Sequence, residues 1–105
     1  MSNKEIRNTI KSTVHYFLPE ARVLLFGSRA NGKFHNGSDY DVLVVTEKTF
    51  APRAKLNWQT KIHVALVDAL ELPFDIILNS EKEIAYKKDL PGHVVRNAMR
   101  EAIEL

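Results

Sequence analysis

The sequence predicts an α+β domain, a small mixed β-sheet flanked by helices, and three observations carry that prediction. Short β-rich runs alternate with amphipathic stretches of helical period along the whole chain. The 105 residues, 45% of them hydrophobic and 27% charged, suffice for one buried core and not for two, so residues 1–105 are expected to form a single domain. Only 4 Gly and 4 Pro are present, with no repeated or low-complexity segment, which excludes disordered and fibrous classes.

Each element has its own local signal. Ser2 and Glu5 form an S-x-x-E capping box, after which Ile6, Ile10, Val14 and Phe17 recur at helical spacing until Pro19 ends the run. Arg22 to Phe26 is a β-rich run closed by Gly27. Ser28 to Ser38 holds two Gly and two Asn and reads chiefly as loop, with room for one helical turn after Ser28. Asp39 to Val45 is the second strand. Pro52 suits a first helical turn, and Trp58, Ile62, Ala65, Leu66, Ala69 and Leu70 mark one face of a long helix ending before Pro73. Phe74 to Leu78 is the third strand, and Ser80 with Glu83 repeats the capping box for a short helix through about Tyr86. Beyond Pro91-Gly92, the pairs Val94/Val95, Ala98/Met99 and Ala102/Ile103 predict a closing helix. Three strands are expected in all.

The chain contains no Cys, which excludes disulfide frameworks, thiolate zinc sites and cysteine nucleophiles. Its apolar runs, such as Val42 to Val45, are far too short to span a bilayer, and Met1 to Glu5 lack an apolar signal core, so the expected location is the cytoplasm, away from membranes. The 15 Lys and Arg against 13 Asp and Glu leave a net charge of +2, too little to call for nucleic acid as a direct ligand. Arg22, Arg29, Lys33, Lys48, Arg53, Lys55 and Lys61 nevertheless gather in the first two thirds of the chain, a distribution suited to a phosphate-bearing small ligand.

The stretch from Gly27 to Asp41 carries the chemistry. Asp39 and Asp41 are two apart on a predicted strand, so their side chains leave the same face with Cα atoms about 7 Å apart. Two such carboxylates can reach one metal, and hard oxygen donors suit Mg²⁺ or Mn²⁺ joined to substrate phosphates. Upstream, Gly27-Ser28 ends a strand and can turn backbone N–H groups and a hydroxyl toward those phosphates. A third acid, Asp75, interrupts the apolar run Phe74-Asp75-Ile76-Ile77-Leu78. Its expected burial would require a cation or metal partner, which an adjacent strand carrying Asp39 and Asp41 would supply as a three-carboxylate cluster.

These residues resemble a known family. Gly27-Ser28, 10 intervening residues and then Asp39-x-Asp41 are similar to the G-S-x10-D-x-D signature of the minimal nucleotidyltransferase (MNT) domains of the DNA polymerase beta superfamily, and Asp75 sits where that family places its third acid. Four fixed residues at that spacing would arise by chance in about one chain of this length in a thousand. Asn31 departs from the pattern, since many relatives carry Arg there. The resemblance implies the polymerase beta-like catalytic core. It further implies Asp39, Asp41 and Asp75 as catalytic and metal-binding residues, and Gly27, Ser28, Arg29 and Ser38 around the nucleotide. The implied activity is metal-dependent transfer of a nucleoside monophosphate, AMP from ATP, to a hydroxyl with release of pyrophosphate. The implied biology is the antitoxin of a pair whose partner, encoded by the adjacent gene, is a HEPN toxin that the MNT protein adenylylates.

Other readings of the same residues are weaker. Gly27-x4-Gly32-Lys33 imitates a P-loop, but Phe34 replaces the required Ser or Thr and Asn36-Gly37 disfavour the helix that should follow. Arg29-x5-His35 imitates the R-x4-6-H pattern of HEPN ribonucleases, which belongs on a helix of an all-helical protein. His15, His35, His63 and His93 have no metal-binding spacing. With 105 residues leaving no space for an acceptor-binding domain, the acceptor is expected on another chain, on a second copy of this one, or in the cleft itself. Two alternatives stay open: a binding module that neutralises its partner sterically without turnover, and an aminoglycoside-like small-molecule adenylyltransferase.

Overall fold

The computed structural model describes residues 1–32, 38–87, 89–90 and 99–105. Along the chain run α1 (Asn3–Phe17), β1 (Arg22–Phe26), α2 (Ser28–Asn31), β2 (Tyr40–Thr46), α3 (Pro52–Leu70), β3 (Phe74–Ser80), α4 (Glu81–Lys87) and β4 (Ile103–Glu104). The sheet order is β3-β2-β1-β4, with β1 antiparallel to β2 and β4, and β2 parallel to β3. This is the mixed sheet with helices that the sequence predicts. Among the described residues no helix is long and apolar enough to cross a membrane.

Alternation along the strands divides the core into two faces. On one face Val23, Leu25, Val42, Val44, Ile76 and Leu78 pack with Ile6, Ile10 and Val14 of α1 and Ile62 and Leu66 of α3. Trp58 closes that layer against Phe17 and Phe50, at ring-centroid distances of 6.5 and 6.3 Å. On the other face, among the described residues, Leu24, Phe26, Leu43 and Val45 pack with Ile84 of α4, with Ile77, Met99 and Ala102 at its margin. Both predicted capping boxes form, since Glu5 and Glu83 exchange hydrogen bonds with Ser2 and Ser80 respectively. The Glu83 carboxylate also takes Lys55 of α3 at 2.5 Å, tying α3 to α4. Burial pushes that carboxyl up, but Lys55, the Ser80 N–H and Lys87 together hold it below the ordinary glutamate value.

The chain end departs from expectation. Residues 99–101 are helical, but the predicted helix does not continue through Ala102 and Ile103. Ile103 and Glu104 instead pair with Leu25 and Leu24, giving a fourth strand. The outer edge of β1 would otherwise leave backbone donors and acceptors unpaired, and β4 satisfies part of it. Arg22 holds the strand down, with Nη1 2.7 Å from Glu81 and Nη2 2.8 Å from Glu104. Most of the predicted closing helix, residues 91–98, lies outside the described residues, as do Lys33, His35 and His93.

Leu66 is fully buried, whereas the Arg22 ion pairs are solvent-exposed. Chemical denaturation should therefore show Leu66→Ala losing about 2–5 kcal/mol of stability. Arg22→Ala should lose no more than about 1 kcal/mol.

Candidate active site

The site is built where β1 ends. Gly27 has φ 72° and ψ −156°, a backbone conformation that only glycine adopts readily. That reversal carries the chain directly into α2, whose first turn is closed by the Ala30 N–H donating to the Gly27 carbonyl at 3.1 Å. A Cβ at Gly27 would also land on the Asp41 carboxylate oxygen Oδ2. Glycine is thus required twice, for the turn and for the space the acid occupies. Ser28, half-buried, is the first residue of α2, where helical N–H groups have no partner within the helix.

Arg29 joins the two ends of the loop. Its Nε and an Nη donate to the Ser38 carbonyl at 3.2 and 3.1 Å, and its guanidinium lies 4.4 Å from the centroid of the Tyr40 ring. Planar stacking and a forked donor set are arginine properties that lysine lacks. Arg29 and Ser38, both singled out from the sequence as nucleotide-binding, are therefore in contact with each other beside the start of β2.

Parallel pairing of β2 with β3 sets Asp41 directly opposite Asp75, while antiparallel pairing sets Asp41 opposite Phe26, the residue before Gly27. Asp39 lies one residue before β2, not within it as the sequence suggested. Asp41 and Asp75 share the alternation of Leu43, Val45 and Ile77 and so project on the second face of the sheet. Asp41 is half-buried and its carboxyl is raised above the ordinary aspartate value, first by burial, then by the charge of Asp75 and that of Asp39. Asp75 is exposed. The expectation that it is buried is wrong, because β3 is an edge strand of the sheet and the acid lies near its start. Among the described residues, no Lys, Arg or His pairs with any of the three carboxylates.

The donor set suits a hard divalent cation, since it consists of carboxylate oxygens and the charges of Asp75 and Asp39 act on Asp41. Among the described residues, however, no group of three or more His, Cys, Asp or Glu side chains is gathered closely enough to hold an ion by itself. The carboxylates form an open arrangement, in keeping with a cation that takes one or two protein ligands and completes its shell from phosphate and water.

A second feature adjoins the acids. Leu56, Gln59, Thr60 and His63 of α3 line a cleft of about 240 Å³ with Phe74, Asp75 and Ile76 of β3. His63 has no histidine at metal-binding spacing in the sequence, yet it lines this cleft. The available signal was positional: residues 56, 60 and 63 share one face of α3, apart from the buried Ile62–Leu66 face. A more apolar cleft, between Leu18, Ala21, Thr46 and Phe50, lies at the opposite end of the strands.

No sequence among curated proteins matches this one. Solved structures do. A candidate minimal nucleotidyltransferase is 26% identical, with a TM-score of 0.67, covering 100% of this chain and 97% of its own. A chain of a toxin–antitoxin complex solved with AMP-PNP is 21% identical, with a TM-score of 0.60 over 92% of this chain and 69% of that one. A chain of the complex between a tri-AMPylated HEPN toxin and MNT antitoxin of Shewanella oneidensis is 17% identical, with a TM-score of 0.59 over 98% and 71%. The last two share the fold. Residues 4–105 match the profile of the nucleotidyltransferase domain, and with the Gly27-Ser28 turn set against Asp41 in the matching fold, this chain belongs to the nucleotidyltransferase domain family.

Proposed function

We propose that this chain transfers AMP from ATP to a hydroxyl on a partner protein, in the manner of an MNT antitoxin modifying a HEPN toxin. The observation that carries the reading is Asp41, half-buried, flanked by the charges of Asp39 and Asp75 and packed against a glycine turn. Complexes of HEPN toxin with MNT antitoxin among the structural neighbours support the choice of partner.

In this reading Gly27 and Ser28 receive the triphosphate, through backbone N–H groups at the start of α2 and the serine hydroxyl. Arg29 fixes the position of Ser38 and the entry to β2, so that Asp39 and Asp41 are presented together. These two would hold Mg²⁺ or Mn²⁺, which when bound neutralises phosphate charge and lowers the pKa of the acceptor hydroxyl. Asp75, exposed and opposite Asp41, accepts the hydroxyl proton. The acceptor oxygen forms a bond to the α-phosphorus, the bond from that phosphorus to the α–β bridging oxygen breaks, and pyrophosphate leaves with the electron pair.

Binding and chemistry separate by residue. Calorimetry should show Mg²⁺-dependent ATP affinity lost in Asp39→Asn/Asp41→Asn. Asp75→Asn should bind ATP much as the wild type does while AMP transfer, followed by the partner's mass, falls about 10²–10⁴-fold. Inhibition of the partner by both variants without any mass gain would replace this reading by steric neutralisation.

Because the Asp41 carboxyl is raised, its proton must leave before it holds a cation. Mn²⁺ or Mg²⁺ titrations across acidic pH should show affinity falling as pH drops through that raised value, above the range of an ordinary aspartate. Asp41→Asn should remove that step.

A further inference from the structure

Resting on the transfer reading above, we propose that the acceptor is an extended polypeptide segment that pairs with the outer edge of β3 and carries a hydroxyl side chain to the Asp75 face. The backbone of β3 supplies the first argument. Its pairing with β2 begins with the Tyr40 N–H donating to the Pro73 carbonyl at 3.0 Å. On the opposite side, the Leu78 N–H leaves the sheet and is taken by Gln59 Oε1 at 2.9 Å. Backbone direction repeats every two residues in a strand, so Phe74 and Ile76 aim their N–H and C=O groups outward as well.

The cleft supplies the second argument. Past Gln59 the space beside this edge opens to about 240 Å³, between Leu56, Thr60 and His63 on α3 and residues Phe74 to Ile76. Leu56 is 60% exposed there, an apolar side chain with little cover. A strand laid along the edge would place alternate side chains on opposite faces of the sheet. One would seat against Leu56 and the cleft, and the next would project on the face that carries Asp75 and Asp41. Backbone pairing gives affinity and the apolar anchor gives register, as in other strand-addition interfaces. A small hydroxylic molecule would use neither the open backbone nor the alternation. The predicted acceptor therefore has its hydroxyl residue next to an apolar one in an extended segment.

The test uses the full chain, the HEPN protein of the adjacent gene, Mg²⁺ and ATP labelled in its α-phosphate. Leu56→Arg and Thr60→Trp, both surface changes on α3, should raise the KM for the acceptor about tenfold or more. The maximal rate and the affinity for ATP should be kept, and Leu56→Met should restore the KM. Exchange of the Phe74 and Ile76 amides should slow when the partner is added. Wild-type transfer with unchanged acceptor KM in both variants would overturn the strand-addition proposal while leaving the transfer reading intact. Absence of any labelling by the wild type would remove both. A change in sedimentation of the chain alone, with transfer unaffected, would make this edge a contact between copies and overturn the proposal too.

Discussion

Parallel pairing of β2 with β3 sets Asp41 against Asp75, and the rest of the site follows from that register. It places two anions side by side at one end of the sheet, with Asp39 a third just before β2. Burial already disfavours charge on Asp41, and its neighbours add to the effect. The register cannot slip to relieve this. A shift of one residue would turn Val42, Val44, Ile76 and Leu78 away from α1 and α3 and break the main core. Hydrophobic packing on one face thus holds like charges together on the other.

The exposure of Asp39 and Asp75 makes the arrangement usable. Among the described residues, α1 and α3 cover the face opposite the acids, and Ile84 of α4 packs on the acids' own face. Asp41 is half-buried, and Asp75 is exposed on an outer strand. Gly27 completes the opening, because any side chain there would occupy the space of the Asp41 carboxylate. Arg29, beside the start of β2, is engaged with the Ser38 carbonyl and the Tyr40 ring.

Much of this was legible in local sequence, because capping boxes, the apolar periods of α1 and α3, and the three longer strands are encoded by neighbours a few residues apart. Asp39-x-Asp41 and the Gly27-Ser28 turn were legible for the same reason. The exposure of Asp75 was not, since an acid inside an apolar run is buried on an inner strand and exposed on an outer one, and strand order is a property of the whole sheet. Nor was β4, whose two residues continue the apolar spacing of the preceding stretch and become a strand only by finding the edge of β1. The Arg29–Ser38 contact spans nine positions across a loop without periodic signal. The cleft beside Asp75 required knowing that α3 lies along β3.

In the proposed reading, burial and the charges of Asp75 and Asp39 make an ionised Asp41 costly to the fold, and a divalent cation relieves that cost. A carboxyl whose value is raised in the folded state contributes stability while protonated and loses it as pH rises through that value, so Asp41 is destabilising at neutral pH. Thermal unfolding of the wild type and Asp41→Asn at neutral pH, each with chelator and with Mg²⁺, measures this directly. Asp41→Asn should melt higher than the wild type in chelator, and Mg²⁺ should raise the melting temperature of the wild type but not of the variant. A variant that melts lower in chelator, together with a wild type indifferent to Mg²⁺, would contradict it.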